Sequence, residues 1–107
     1  MIAYESPQLD ALGDATRRAI LARLAKDGPL PVGELAREFP MSRPAISQHL
    51  SVLKRANLVT DSADGARRLY AVNPDAVASL RRFFEQFWTD ALASFKRRAE
   101  LEARKKP

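Results

Sequence analysis

A chain of 107 residues holds one compact domain and is too short for two. Its formal net charge of +5 favours polyanionic partners, and the absence of cysteine excludes disulfides and thiolate metal sites. The segment from Met1 to Pro7 lacks the charged start and apolar run of a signal peptide, and no run of about 20 apolar residues is present to span a membrane, so the expected compartment is the cytoplasm.

In chain order, Ser6 to Leu12 reads as a short helix presenting Leu9 and Leu12. Asp14 is a good N-cap for a second helix, whose apolar positions Ala15, Ala19, Ile20 and Leu24 follow the 3.6-residue period until Asp27-Gly28-Pro29 stops it. Pro31 suits the first position of a third helix, Val32 to Phe39, with Val32, Leu35, Ala36 and Phe39 on one face. Pro40 ends it, and Ser42 caps a fourth helix that tolerates Pro44 in its first turn and sends Ile46, Leu50 and Leu53 to a core. Asn57 follows where a left-handed residue is wanted.

The texture then changes. Leu58 to Ser62 and Arg67 to Val72 are strand-like runs around a turn containing Asp64-Gly65. Asn73 and Pro74 open a long last helix with an apolar stripe of Leu80, Phe83, Phe84, Phe87, Trp88, Ala91, Leu92 and Phe95. The predicted fold is therefore mainly α with a small two-stranded β-hairpin. Helices followed by a hairpin and a helix make a winged helix-turn-helix, a single domain over residues 1–107. Its helix-turn-helix covers about 32–56, its wing about 58–72 and its last helix about 74–104. Two strands alone are marginal, so the hairpin must pack on the helices.

Two helices joined by the short turn Pro40-Met41-Ser42 cross at a large angle and let the second protrude. With Ile46, Leu50 and Leu53 inward, the outer face shows Arg43, Pro44, Ser47 and Gln48, with Lys54 and Arg55 further along. A recognition helix sets its N-terminal residues against base edges in the major groove. Arg43 suits guanine, Gln48 suits adenine and Ser47 is adaptable. Lys54, Arg55 and free N–H groups near Ser42 suit phosphates, which position the helix without reading sequence. Arg67 and Arg68 place positive charge on the wing. The plainer reading, an ordinary solvated helix face and a solvated basic hairpin, stands beside this one.

The run Leu12-Gly13-Asp14-Ala15-Thr16-Arg17-Arg18-Ala19-Ile20-Leu21 resembles the opening of the ArsR-type (ArsR/SmtB) repressors. So do Val32-Gly33-Glu34-Leu35-Ala36, Ser42-Arg43-Pro44-Ala45-Ile46-Ser47-Gln48-His49-Leu50, Leu53-Lys54, Leu58-Val59 and the wing residues Gly65, Arg68 and Tyr70, over roughly residues 9–72. The resemblance implies a homodimer that represses by occupying double-stranded operator DNA, with an unidentified small-molecule effector that weakens binding. Metal-sensing members carry cysteines in the first helix of the helix-turn-helix, or His and acidic ligands in the last helix. Here the matching stretch reads Glu34-Leu35-Ala36-Arg37-Glu38-Phe39 and the one histidine is His49. One imidazole cannot build a tight transition-metal site, so neither metal nor cofactor is expected.

Five of the eight aromatic residues lie in the last helix. Ile20, Leu24, Leu35, Phe39, Ile46, Leu50 and Leu53 already supply a monomer core, so the stripe Phe83, Phe84, Phe87, Trp88, Leu92 and Phe95, with Leu9 and Leu12, is predicted to form a two-fold dimer interface. Part of it lining a pocket for an apolar effector is the other reading. The segment Lys96 to Pro107 reads as a solvated basic helix end, with added non-specific DNA affinity as the alternative. No paired carboxylates, Gly-rich phosphate loop or nucleophile with a base point to an enzyme. A winged helix that binds protein instead of DNA is the remaining rival.

Overall fold

A computed structural model of the chain describes residues 6–105. The leader and tail readings at residues 1–5 and at Lys106 and Pro107 lie outside the described residues. Helix α1 (Ser6–Ala11) ends one residue before Leu12, which still packs on the core. Asp14 caps α2 (Ala15–Asp27), its carboxylate accepting from the Arg17 N–H at 3.0 Å and satisfying one of the helix's orphan donors. The Arg17 and Arg18 guanidinium groups reach back to the carbonyls of Ala11 and Leu12 at 2.6 and 2.7 Å and fix the corner between the two helices. Gly28, at φ 80°, closes α2 in a backbone region that an L side chain disfavours. The buried face of α2 is narrower than the apolar period suggests: Ile20 and Leu24 are buried, whereas Ala15 and Ala19 are exposed. Only one side of this helix meets its neighbours in the fold.

The hairpin gains a third strand that the sequence pattern does not announce. Strand β1 (Leu30–Pro31) pairs antiparallel with β3 (Arg67–Val72), Leu30 opposite Tyr70 and Pro31 opposite Leu69. Pro31, expected inside the third helix, is extended at φ −78° and ψ 156° and precedes α3 (Val32–Glu38). An edge strand tolerates proline because one side of its backbone needs no partner. Strand β2 (Val59–Asp64) flanks β3 on its other side, giving the order β1-β3-β2 with β3 central. Gly65, at φ 62°, and Ala66 form the two-residue turn between β2 and β3. A glycine in this first position is what a type II′ hairpin turn requires.

Helix α4 (Arg43–Arg55) starts at Ser42, whose hydroxyl accepts from the Ala45 N–H at 3.3 Å. It ends in a Schellman motif. The Leu58 N–H donates to the Leu53 carbonyl and the Asn57 N–H to the Lys54 carbonyl, both at 2.9 Å, with Asn57 left-handed at φ 62°. Leu53 and Leu58, brought together by this turn, are fully buried along with Ile20, Leu24, Leu35, Ile46, Leu50 and Val59. Each such side chain stabilises the fold by roughly 1.5–3 kcal/mol. The core sits where α2, α3 and α4 meet the inner face of the sheet, with Phe39 half-buried at its margin.

Asn73 opens α5 (Pro74–Lys105), accepting from the Asp75 N–H at 3.1 Å. Along its 32 residues α5 buries Ala76 and Ser79, with Leu80 and Phe83 half-buried. From Phe84 to Lys105 every residue is exposed. At 1.5 Å per residue the helix is about 48 Å long, and the described chain measures 73 × 26 × 22 Å. Its radius of gyration is 19.1 Å, against about 13 Å for a compact chain of this length. The last helix projects out of the body. Among the described residues no helix is long and apolar enough to cross a membrane.

Candidate nucleic-acid interface

Burial of Ile46, Leu50 and Leu53 rotates the opposite face of α4 to solvent. Arg43, Pro44, Ser47, Gln48, Lys54 and Arg55 are all exposed, so the polar face predicted from the heptad-like spacing is the face the fold leaves open. Ser51 shares it, one turn beyond Ser47 and one before Arg55, and lines a shallow surface depression with Ser47, Gln48, Val52 and Arg55. Its i, i+4 spacing from Ser47 is the sequence signal that finds it. The first turn offers fewer backbone donors than expected. The Ala45 N–H is taken by the Ser42 hydroxyl and Pro44 has none, which leaves the Ser42 and Arg43 N–H groups at that end.

The wing presents its two predicted cations, Arg67 and Arg68, to solvent, but each already has an acidic partner. Arg67 is bonded to Asp64 at 2.7 Å across the hairpin turn. The Arg68 Nε donates to the Asp61 carboxylate at 2.8 Å, and the Lys54 ammonium donates to the other oxygen of the same carboxylate at 2.8 Å. One β2 aspartate therefore links α4 to β3. The hydrogen bonds from Lys54 first, and from Arg68 second, hold the Asp61 carboxyl below the ordinary carboxylate range. Local sequence does not mark Asp61, because the link depends on the β2–β3 register, which places it opposite Tyr70, and on the packing of the sheet against α4.

A groove of about 460 Å³ runs between the start of α3, the first residue of α4 and the wing. Arg37, Arg43, Arg67 and Arg68 line it together with Glu34, Gly33 and Tyr70. The Arg43 guanidinium lies beside Gly33, where an added Cβ would be 4.0 Å from Nη1. The fold thus brings Arg43 of α4 and both wing arginines into one concave basic surface, and adds Arg37 of α3. Helical spacing alone cannot show that α3 and the wing face each other.

The predicted dimer residues divide into two groups. Leu9, Leu12 and Phe83 are half-buried within the protomer, whereas Phe84, Phe87, Trp88, Leu92 and Phe95 are exposed, Trp88 to 64% and Phe95 to 71%. The Phe83 ring meets Phe84 edge-on at 5.2 Å and stacks with Phe87 at 6.5 Å, so the stripe begins at the body and continues outward. The exposed part of the stripe is large apolar side chains on one helix, with no cover among the described residues.

Among the described residues no three His, Cys, Asp or Glu side chains are placed to hold a metal ion. His49 is half-buried on α4, and α3 carries Ala36 and Glu38 and no thiolate. This donor set does not fit a soft transition metal.

A helix-turn-helix with an exposed polar reading face, flanked by a basic wing, defines a winged-helix DNA-binding protein. Residues 12–61 match the family described as "Helix-turn-helix domain". The HTH-type transcriptional regulator Rv2034 of Mycobacterium tuberculosis is 55% identical over 97 residues, 89% of this chain and 90% of that one. The ArsR-like transcriptional regulator from Rhodococcus sp. RHA1 superposes with a TM-score of 0.74 at 30% identity, covering 91% of this chain and 93% of that one. The homodimeric winged helix-turn-helix DNA-binding domain Mb0332 from Mycobacterium bovis gives 0.67 at 26% identity, covering 85% and 83%. The chain belongs to the ArsR family of helix-turn-helix transcriptional regulators.

Proposed function

We propose that the protein is a homodimeric repressor that occupies a near-palindromic operator, the whole chain acting as one domain in the cytoplasm. The observation that carries this reading is the continuous surface formed by the exposed face of α4 and the arginine-lined groove beside the wing. Arg43, Ser47 and Gln48 read base edges; Ser42, Pro44, Lys54 and Arg55 set the helix against the backbone; Arg67 and Arg68 engage the backbone from the wing. The exposed stripe of α5 pairs with its two-fold mate, with Leu9, Leu12 and Phe83 at the edge of that contact. The homodimeric relative from Mycobacterium bovis supports this arrangement. Two reading helices so related address half-sites roughly 34–36 Å apart. Release from DNA is driven by an unidentified small-molecule effector and not by a metal ion, and the chain performs no catalysis.

Selection of random duplex DNA by the purified, metal-free protein tests the reading. One near-palindromic motif is the expected result. Recovery of no motif, with only salt-sensitive binding, overturns the base-reading assignment and favours a non-specific DNA-binding or protein-binding module.

A further inference from the structure

The cations of the DNA-facing surface are not equivalent. Asp61 is 9% exposed at the side chain, while the two cations it binds, Lys54 and Arg68, are 53% and 56% exposed. The acid lies beneath and the charged heads lie above it, facing outward. Arg37, Arg43 and Arg55, by contrast, have no acidic partner within ion-pair distance among the described residues. Non-specific affinity grows with the number of phosphates neutralised and counterions released. A cation already matched by a carboxylate adds less to that sequence-independent attraction. It also loses freedom to wander: Lys54 keeps two N–H donors and Arg68 keeps its terminal guanidinium donors, but both now point from one fixed place. A backbone phosphate profits from them where it comes to that place, and the link sets the wing relative to the reading helix.

We propose that Asp61 is a specificity-determining positioning residue, which ties α4 to the wing through Lys54 and Arg68 and suppresses sequence-independent DNA binding. This rests on the DNA-reading function proposed above. The test compares the full-length protein with Asp61→Asn on two duplexes of equal length, the selected motif and a scrambled version, over a series of salt concentrations. Asp61→Asn is expected to bind the scrambled duplex about tenfold more tightly, to show a salt slope steeper by roughly 0.9–1.8, one or two more phosphates neutralised, and to discriminate less between the duplexes. Asp61→Asn/Arg68→Gln should return the slope toward that of the parent. Unchanged slope and discrimination in Asp61→Asn overturn the proposal, whatever happens to its melting temperature. Should that variant fail to fold, the exposed-site comparison decides: Arg68→Gln must lower the salt slope less than Arg55→Gln, and equal losses overturn the proposal. A parent protein that shows no motif preference while the Asp61 variants still shift the slope would sink the operator reading and leave the charge-damping role standing. No binding to any duplex overturns both.

Discussion

The Asn73 side-chain amide donates to the Asn57 backbone carbonyl at 2.9 Å, joining the end of α4 to the start of α5. The same side chain accepts from the Asp75 N–H, and the Asn73 N–H donates to the Leu58 carbonyl at 2.9 Å. With the Val77 N–H donating to the Asn73 carbonyl at 3.2 Å, four hydrogen bonds at one residue set the angle at which α5 leaves the body. Asn73→Ala should cost about 1–2 kcal/mol, the loss of a cap and of one further hydrogen bond. Urea unfolding reads this as a lower midpoint at constant m-value. Asn57→Ala should cost about 1–2 kcal/mol because an L side chain resists φ 62°, whereas Asn57→Gly should be close to neutral. Equal losses for the two Asn57 variants would show that the left-handed turn is not what Asn57 supplies.

The outer half of α5 gives a prediction that separates folding from assembly. Phe87 and Trp88 are more than half exposed in the protomer, so their removal takes nothing from the core. Trp88→Ala and Phe87→Ala should each weaken self-association by about 2 kcal/mol or more, the scale of an aromatic anchor in an interface. That is roughly a thirtyfold rise in dimer dissociation constant. Sedimentation at several concentrations measures it, with circular dichroism reporting the fold. Unchanged association by both variants would remove the stripe from the dimer interface.

Most of the architecture was legible because it rests on local rules: Asp14 and Ser42 as caps, Gly28 and Asn57 as helix stops, and the Ile46, Leu50, Leu53 spacing. What escaped depends on elements distant in sequence. Strand β1 exists through its pairing with Tyr70 and Leu69, some forty residues away, and a two-residue strand leaves no period to detect. The Asp61 link and the groove shared by Arg37 and Arg43 likewise require the wing to be folded against α3 and α4. The division of the α5 stripe at Phe83 and Phe84 is a matter of where the body ends, which amphipathicity cannot mark.

Base reading and backbone holding should separate by substitution. Arg43→Ala is expected to cost about 1–3 kcal/mol on the selected operator and to relax preference at one base pair; Gln48→Ala should do the same at another. Arg55→Ala should instead weaken binding to every duplex and lower the salt slope by roughly 0.9. Titration of labelled operator and its single-base variants, at matched salt, distinguishes these patterns. A uniform loss for Arg43→Ala would place Arg43 among the phosphate contacts of the groove.

Acid should unpick the fold at two aspartates. The Arg17 N–H holds the Asp14 carboxyl below its ordinary value, and Lys54 followed by Arg68 does so for Asp61. A carboxylate whose folded pKa is depressed stabilises the native state fully above the unfolded value, about 3.9 for aspartate. That contribution is lost as pH falls from there through the lower folded pKa, because the unfolded chain binds the proton first. Stability measured by urea titration should therefore be flat near neutrality from these groups and fall once pH drops below about 4. Asp61→Asn and Asp14→Asn should each be less stable than the parent near neutral pH, and each should show a shallower acid limb. The gap between parent and variant should close as pH falls through the folded pKa of the missing aspartate. A gap that stays constant across this range would mean that the lost stability comes from packing and not from the ionised carboxylate.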